Sequence, residues 1–312
     1  MKDRYLITGA TGFVGSNLTR HLVNKGNNVS IIVRRGINWR LTDSASKITV
    51  YTADLVHSPL DAIIQSARPQ FIVHMASHGV YPREDNPETM ADINVKGTMR
   101  LLQAAKKVPF KRFINTGTAV EYGIKSKKMR ENQVLNPIND YGVTKAAATL
   151  YCQKEGIRTG LPIVTLRLFT PFGYFEDKNR LIPSIMLSAL ANQLIRVSVP
   201  QSVRDFVFID DVVRAYEKVI TSSIPAGETI NIGSGNQHSI KDVVDAIVSG
   251  SKSSSEVAWG SVAQQERYIE PERWEADIQK AQKLLGWKPA VPFKTAIRKT
   301  IAWFRSHQSL YA

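Results

Sequence analysis

The chain has 312 residues, of which 43% are hydrophobic and 22% are charged, so its composition is that of an ordinary globular protein with one large or two modest cores. Its single cysteine, Cys152, excludes an internal disulfide and a thiolate metal cage. The formal net charge of +14 fits a solvated basic surface or the steering of an anionic substrate such as a nucleotide diphosphate, whereas the basic residues are too scattered to predict binding of nucleic acid.

The start of the chain carries no apolar leader. A strand follows directly after residues 1–4, and no later apolar run approaches the ~18 residues that a membrane-spanning helix needs. We therefore expect a cytoplasmic protein without a membrane partner.

The first predicted elements are a strand, a tight turn and a helix. The strand is the apolar run 5–7, and the helix follows an apolar spacing that starts at Val14. Between them, Gly9, Gly12 and Gly15 allow a tight turn, close approach of a ligand to bare backbone, and close packing of the helix against the strand. Because a helix N-terminus presents free N–H groups, this turn predicts a phosphate-binding site for a dinucleotide.

The second predicted strand, at 28–33, ends in Arg34 and Arg35. A dinucleotide-binding fold usually places Asp or Glu here, where a carboxylate accepts hydrogen bonds from the adenosine ribose hydroxyls. Guanidinium groups instead suit a 2′-phosphate. The sequence therefore favours NADP over NAD, and NAD stays possible because two exposed arginines at a strand end need no ligand.

Strands and helices then alternate at a regular rhythm. Strands are predicted at 48–52, 71–77, 112–116 and 162–168, and helices at 59–67 and 87–108. This alternation predicts an α/β fold, a doubly wound parallel Rossmann sheet with its ligand at the carboxyl ends of the strands. His74 and His78 are four residues apart, but a strand and its following loop do not present them on one face, so we predict no metal site.

The alternation breaks after the sixth strand. The segment 170–183 is rich in proline, glycine and charge, as expected of an active-site wall. Helices are predicted at 181–192, 209–220 and 239–249, a short strand at 196–199, and a strand at 228–232 that returns to the first sheet. We expect a Rossmann domain of residues 1–168 plus 208–232, and a smaller α/β C-terminal lobe of residues 169–207 plus 233–312 that binds the substrate.

Three residues form the predicted catalytic set. Tyr141 and Lys145 follow 137–140, whose Pro, Asn and Asp predict a helix start, so both side chains share one helical face. A phenol has a reference pKa of about 10, and a nearby ammonium favours its anion, so the pair is suited to moving a proton on or off a sugar hydroxyl or ketone oxygen. Thr118, which follows the fifth strand, can hydrogen-bond the same oxygen.

Together these motifs resemble the extended short-chain dehydrogenase/reductase family, whose members act mostly on nucleotide-activated sugars. Besides the glycine turn and the catalytic set, the resemblance rests on Asp54-Leu55, His74 to Ser77, Asn94, Arg167 to Phe169, Asn179, Ile182-Pro183, Arg204 to Asp211, Asn231 to Gly233 and Leu285 to Pro289. It covers nearly the whole chain. It implies an NAD(P)-dependent enzyme, a nucleotide-diphosphate sugar as substrate, and a homodimer formed by two long helices of each subunit.

The resemblance also implies roles for individual residues. The cofactor pyrophosphate would be held by Gly9, Thr11, Gly12, Phe13 and Gly15. Besides Arg34 and Arg35, further cofactor contacts would come from Asp54, Leu55, Met75, Ala76, Ser77, Asn94, Thr116, Tyr141 and Lys145. Substrate contacts would come from His78, Thr118, Thr170, Asn179, Arg204 and Arg267.

Departures from the family pattern narrow the reaction. Sugar 4,6-dehydratases of the family carry an Asp-Glu pair directly after the catalytic hydroxyl residue, whereas this chain has Ala119 and Val120, so dehydration lacks its acid and base. Thr170 stands where many epimerases have Asn, and Arg180 stands where a substrate-binding Asn is common. Glu121, together with the arginine after the second strand, is similar to nucleotide 4-keto-6-deoxyhexose reductases of the abequose synthase type.

The predicted function is NADPH-dependent reduction of the 4-keto group of a nucleotide-diphosphate 4-keto-6-deoxy sugar, with Tyr141 as the proton donor. The alternative is an NAD-dependent nucleotide-sugar 4-epimerase that forms a transient 4-keto intermediate with the same three residues. A third possibility is a redox-sensing NADP-binding protein without turnover, although a sensor has no need of the proton-transfer set.

Overall fold

The computed structural model describes residues 2–81, 83–261 and 271–311. In chain order, the strands of these residues are β1 (Arg4–Thr8), β2 (Asn28–Val33), β3 (Ile48–Thr52), β4 (Phe71–His74), β5 (Arg112–Thr118), β6 (Ile163–Leu168), β7 (Thr170–Phe172), β8 (Ile195–Arg196), β9 (Val203–Arg204), β10 (Phe206–Phe208), β11 (Glu228–Ile232), β12 (His238–Ser239) and β13 (Val257–Ala258).

The α-helices of the same residues are α1 (Phe13–Asn24), α2 (Leu60–Ala67), α3 (Pro87–Met90), α4 (Gly97–Ala105), α5 (Asp140–Thr159), α6 (Leu181–Leu190), α7 (Ile209–Thr221), α8 (Ile240–Ser251), α9 (Gln279–Leu285) and α10 (Phe293–Ser306). A π-helical turn, Ala91–Lys96, joins α3 to α4, and 3₁₀ turns occupy Thr42–Lys47, Ala119–Tyr122 and Gln308–Leu310. None of the described helices is long and apolar enough to cross a membrane.

Seven parallel strands form the central sheet, in the order β11-β6-β5-β4-β1-β2-β3. The strand order reverses between β1 and β4, so the connections on the two sides of this point run in opposite directions and leave a crevice at the carboxyl ends. The predicted α/β class, a doubly wound parallel Rossmann sheet with a smaller α/β lobe, is confirmed.

The centre of the sheet is buried on both faces, which explains why β1 and β4 read as nearly continuous apolar runs, whereas the edge strand β3 is largely exposed. Neighbouring residues of β1 point to opposite sides: Leu6 packs in one core cluster with α2 and α4, whereas Ile7 packs in the other with α1 and α7. Both side chains have no solvent-exposed surface. The alternation thus fixes the register of the sheet, because a one-residue slip would exchange the two faces.

The structure shifts some predicted element boundaries. The predicted strand 71–77 ends as β4 at His74, because the next residues turn away to line the crevice, and the predicted strand 112–116 extends to Thr118 through its pairing with β6. The predicted helix 87–108 contains the π turn described above. The predicted short strand at 196–199 is β8, which begins one residue earlier and ends at Arg196.

The C-terminal lobe contains short strand pairs, β7 with β10, β8 with β13 and β9 with β12. Their loops converge on the carboxylate of Asp205, which is fully buried. Its two oxygens accept hydrogen bonds from the backbone N–H groups of Ser234, Gly235 and Ala276 and from the Ser234 hydroxyl, at 2.6–3.0 Å. One side chain therefore joins three separate segments of the lobe. Burial raises its pKa to about 6 although these donors favour the anion.

Candidate active site

A cavity of about 890 Å³ opens at the carboxyl ends of the central strands and is walled on the other side by the C-terminal lobe. The sheet side contributes the glycine turn and the ends of β2, β4 and β5, and the lobe side contributes the segments after β6 and around Trp274. The cavity therefore lies at the crevice that the strand order creates. Its size is in the range of pockets that hold a cofactor and a small substrate.

The glycine turn has the shape of a phosphate cradle. Gly9 has φ +70°, and a side chain on it would meet the backbone of Met75 and Ala76 at about 2.5 Å. A side chain on Gly15 would lie only 2.2 Å from the carbonyl oxygen of Gly9. Helix α1 begins without a side-chain cap at Gly12, so its N-terminus faces the cavity as bare backbone. These residues fit the diphosphate of a dinucleotide.

Most of the residues expected to contact a cofactor line this cavity: Gly9, Thr11, Gly12, Phe13, Gly15, Arg34, Asp54, Leu55, Met75, Ala76, Thr116 and Tyr141, together with Ser77. Arg34 stands at the end of β2 on the cavity wall, and Arg35 is exposed outside it. Asp54 caps its own turn, because its Oδ1 accepts hydrogen bonds from the N–H groups of Val56 and His57.

Thr118 and Tyr141 line the cavity, whereas the predicted Lys145 is buried and does not line it. Helix α5 begins after Asn139, whose side chain accepts a hydrogen bond of 2.8 Å from the N–H of Gly142, and this start places Tyr141 on the cavity wall. Thr118, the last residue of β5, lines the same wall. Lys145 lies one turn after Tyr141 on the same face and is 97% buried, with 3% of its surface exposed.

Two opposing effects act on the pKa of Lys145. Burial lowers the pKa of Lys145, and the negative charge of Glu121 acts in the opposite direction. His74 also faces this lysine: burial lowers its pKa to about 3, so the imidazole is neutral, and its two ring nitrogens bond the hydroxyls of Thr8 and Thr98 at 2.6 and 2.8 Å. His74 is therefore a structural residue of the core.

A buried carboxylate lies behind the catalytic set. Glu121 is fully buried, and its Oε1 accepts hydrogen bonds from the backbone N–H of Thr118 at 2.8 Å and from the Thr149 hydroxyl at 3.0 Å. Its Oε2 accepts hydrogen bonds from the guanidinium of Arg167 at 2.8–2.9 Å. Gly117 leaves room for it, because a side chain there would lie 2.6 Å from Oε1. The sequence marked Glu121 only as a family resemblance.

The structure does not bring every predicted contact residue to the cavity. Asn94 is buried, and its amide bonds the backbone of His78 and the hydroxyl of Thr144, so it braces the loop after β4 instead of facing a cofactor. His78 itself lies off the wall, with Nδ1 at 3.9 Å from a carboxylate oxygen of Glu84. Asn179 is exposed and bonds Asp177.

The other predicted substrate residues, Thr170 and Arg204, line the cavity. The guanidinium of Arg204 lies 5.8 Å from the ring centre of Trp274, and both face the cavity. The predicted Arg267 lies outside the described residues.

Sequence reasoning missed a charged group at the other end of the cavity, formed by Arg40 and Glu176 beside Arg180. Arg40 is 92% buried with 8% exposed, and its Nε donates a hydrogen bond of 2.7 Å to the carbonyl of Phe175. Burial raises the pKa of Glu176 to about 8, with the charges of Arg180 and Arg40 opposing the rise. The charge-rich segment 170–183 was the signal for Glu176, whereas nothing local marked Arg40.

Fold and site together define a Rossmann-type protein with a cavity that fits a dinucleotide beside Thr118 and Tyr141. A model of the NAD-dependent epimerase/dehydratase family matches residues 5–233. The chain belongs to this family, part of the extended short-chain dehydrogenases/reductases predicted from the motifs.

Individual relatives match the chain over almost its full length. It is 29% identical to the uncharacterised UDP-glucose epimerase YtcB of Bacillus subtilis, covering 97% of this chain and 98% of that protein. It is also 29% identical to dTDP-glucose 4,6-dehydratase 1 of Escherichia coli, covering 97% and 93%. Among solved structures, MoeE5 in complex with UDP-glucuronic acid and NAD superposes with a TM-score of 0.86 at 25% identity, covering 97% and 99%.

Proposed function

We propose that the protein is a nucleotide-sugar 4-epimerase, the function predicted above as the alternative to 4-keto reduction. The observation that carries the proposal is that Thr118 and Tyr141 line one cavity with the glycine turn, and that Lys145 lies buried one helical turn after Tyr141. The names of the relatives support epimerisation more directly than reduction, since they include a UDP-glucose epimerase and no reductase among those described above.

In this proposal, residues of the chain bind both ligands and move one proton. The glycine turn and Arg34 would hold a nicotinamide dinucleotide, which supplies a hydride acceptor and donor when bound. Tyr141 would take the proton of the sugar C4 hydroxyl, and it would return this proton after the 4-keto sugar has turned its opposite face toward the nicotinamide. Thr118 would hold the C4 oxygen by a hydrogen bond. The Lys145 ammonium would favour the phenolate form of Tyr141. Arg204, Thr170 and Arg267 would bind the nucleotide diphosphate.

Dehydration is disfavoured by the wall next to Thr118. Ala119 and Val120 line the cavity where the dehydratases of the family carry an acid and a base, and hydrocarbon side chains can neither donate nor accept the proton of an eliminated water. The likeness to a dTDP-glucose 4,6-dehydratase therefore supports the fold and the nucleotide-sugar site more than the reaction.

The 4-keto reductase is the second candidate, and Arg34 favours it. Its guanidinium lines the cavity at the end of β2, where a 2′-phosphate would lie, and the chain has no acid at this position. An enzyme that consumes NADPH at each turnover must exchange its cofactor, whereas an epimerase regenerates it.

We also propose the two-part division and a homodimer. The parts would be residues 1–168 plus 208–232 for the cofactor and 169–207 plus 233–312 for the substrate, which is supported by the pairing of β11 with β6 in the central sheet. The dimer is supported by exposed apolar residues spaced by seven along α5, namely Val143, Leu150 and Ile157, because such a stripe on a long helix suits packing against a second copy.

The test begins with the nucleotide that copurifies. The purified protein is denatured, the released nucleotide is identified by mass, and the native protein is then offered UDP- and dTDP-hexoses and their 4-keto-6-deoxy derivatives. An epimerase is expected to release bound dinucleotide and to interconvert C4 epimers without net change in NADPH absorbance. Stoichiometric NADPH consumption with a 4-keto sugar would instead establish the reductase, and no turnover of any sugar would overturn both.

A further inference from the structure

Two segments carry the catalytic set, and one carboxylate contacts both. Thr118 belongs to the end of β5, whereas Tyr141 and Lys145 belong to α5. Glu121 accepts a hydrogen bond from the backbone of Thr118 and another from Thr149, one helical turn after Lys145. The carboxylate therefore fixes the end of β5 against the helix face that carries the tyrosine and the lysine.

The surroundings of Lys145 leave Glu121 as its counter-charge. His74 of β4 is neutral, and burial raises the pKa of Cys152 on α5 to about 12, so that thiol is neutral as well. Arg167 of β6 bonds the far oxygen of Glu121, Oε2, while Oε1 is the oxygen turned toward α5. Glu121 is thus the carboxylate whose charge acts on this lysine, in addition to the Tyr141 phenol that the proposed mechanism ionises.

The arrangement exceeds what a helix cap requires. The side chain of Thr118 caps the 3₁₀ turn Ala119–Tyr122 with Glu121 at its third position, a capping box that would work equally well at the surface. The same motif caps α8, where Ser239 and Asp242 exchange the same two hydrogen bonds at an exposed site. At the active site the acid is instead fully buried and paired with an arginine that is 2% exposed.

We propose that Glu121 is a positioning residue of the proton-transfer set, which holds Thr118 through its backbone N–H and supplies the counter-charge that keeps the buried Lys145 an ammonium. The inference rests on the proposed function, because it assigns Glu121 to the same Thr-Tyr-Lys chemistry. Loss of the carboxylate charge would leave a desolvated cation without compensation, so the lysine would release its proton at lower pH.

The experiment uses the full chain with its cofactor, labelled with [ε-¹³C]lysine, and follows the NMR titration of Lys145, assigned by comparison with Lys145→Met. In Glu121→Gln the titration midpoint is expected to fall by about one pH unit or more, a tenfold change in proton affinity. The high-pH limb of kcat/KM is expected to move in the same direction, and kcat is expected to fall at every pH because Thr118 is less well held.

Asp242→Asn is the matched control, because it removes the acid of the same capping motif at a residue that does not line the cavity, and it is expected to leave the midpoint unchanged. Glu121→Gln leaves Arg167 buried without its partner, so Glu121→Gln combined with Arg167→Gln replaces both charges if the single variant does not fold. A midpoint within a few tenths of a pH unit of the wild type in a folded variant would reduce Glu121 to a structural residue.

The two proposals fail in distinguishable ways. Absence of turnover by the wild type on every nucleotide sugar would overturn the proposed function, and the NMR titration would still decide whether Glu121 sets the charge of Lys145. Normal turnover by the wild type with an unshifted midpoint in the variant would overturn only the role of Glu121.

Discussion

The two walls of the cavity are built in different ways. On the sheet side, Thr118 and the glycine turn stand at the ends of strands that are paired along their length in a seven-stranded sheet. On the lobe side, Arg204 belongs to a two-residue strand, and the surrounding loops are joined through the carboxylate of Asp205. The first wall owes its geometry to repeated backbone pairing, and the second owes it to a few side chains.

Under the proposed function, this difference separates the wall that carries the chemistry from the wall that recognises the substrate. A substitution on the sheet side removes one chemical group and leaves its surroundings in place, because the strands do not depend on that side chain. A substitution at the centre of the lobe loosens several loops at once. The following predictions test this contrast, in order of decreasing effect.

The largest effect is expected for Tyr141→Phe. Removal of the phenol hydroxyl should lower kcat by ~10²–10⁴-fold, because the proton of the sugar oxygen loses its acceptor and donor, while the dissociation constant of the cofactor should change by less than about threefold. Steady-state kinetics measures kcat, and a fluorescence titration with the cofactor measures its dissociation constant. Tyr151→Phe is the matched control on the same helix, since that hydroxyl bonds Gln103 away from the cavity. Equal activity of both variants would refute catalysis by Tyr141.

A smaller effect, on stability, is expected for Asp205→Asn. The substituted amide would direct N–H groups at backbone N–H donors, so the free energy of unfolding should fall by about 2–4 kcal/mol. Urea denaturation measures this loss, and KM for the nucleotide sugar should rise while cofactor affinity is kept. Asp210→Asn, at a half-exposed carboxylate at the start of α7, is the control and should cost less than ~1 kcal/mol. A KM unchanged by the Asp205 variant would disprove the contrast between the walls.

The third effect depends on pH and concerns Glu176. Burial raises its pKa from 4.5 to about 8, so the folded protein binds a proton there that the unfolded chain releases. Wild-type stability attributable to this carboxyl is therefore fully present below about pH 4.5 and is lost as the pH rises toward 8. Glu176→Gln cannot ionise, and its free energy of unfolding should exceed that of the wild type by an amount that grows with pH, on the order of 3 kcal/mol between pH 5 and 8.

Urea denaturation at both pH values measures the difference. If the free energy of unfolding of Glu176→Gln differs from that of the wild type by the same amount at pH 5 and pH 8, the carboxyl of Glu176 is not protonated in the native state.

The smallest effect is expected at the cofactor-binding end of the sheet wall. Arg34→Ala should weaken NADP binding about tenfold, or ~1.4 kcal/mol, through loss of a 2′-phosphate contact, and should leave NAD binding nearly unchanged. Arg35→Ala is the matched control, because its side chain lies outside the cavity, and neither affinity should change. Calorimetric titration of each cofactor distinguishes the cases. Equal weakening of NAD and NADP would point to a contact with the shared diphosphate.

Local patterns were sufficient to predict the sheet wall. The strands 28–33, 48–52 and 228–232 agree with β2, β3 and β11 residue for residue, because runs rich in β-branched residues with flanking turn residues leave little choice of element. The alternation of strands and helices also predicted that Thr118 and Tyr141 would lie together at the carboxyl ends of the strands, because Thr118 is at the end of β5 and Tyr141 is in the first turn of α5.

The missed features depend on contacts between residues that are distant in sequence. Arg40 donates a hydrogen bond to the carbonyl of Phe175, which is 135 positions away in the sequence, and no local pattern around Arg40 predicts that partner. Asp205 appears in the sequence as one acid in a family motif, and its four donors come from segments that meet only in the folded lobe. Asn94 is predicted to contact the cofactor because it belongs to the family motifs, whereas its buried amide group is hydrogen-bonded to the backbone of His78 and the hydroxyl of Thr144.

The close packing of Glu121 against Gly117 predicts how these two positions differ between homologous chains. The carboxylate of Glu121 occupies the volume in which any larger residue at 117 would carry its first side-chain carbon. The two positions are therefore expected to covary: a glycine at the first should accompany an acid at the second, and homologues that place a serine or alanine at the first should have exchanged the acid for a residue of another shape. Substituting one position without the other would introduce a steric collision that a simultaneous change of both avoids.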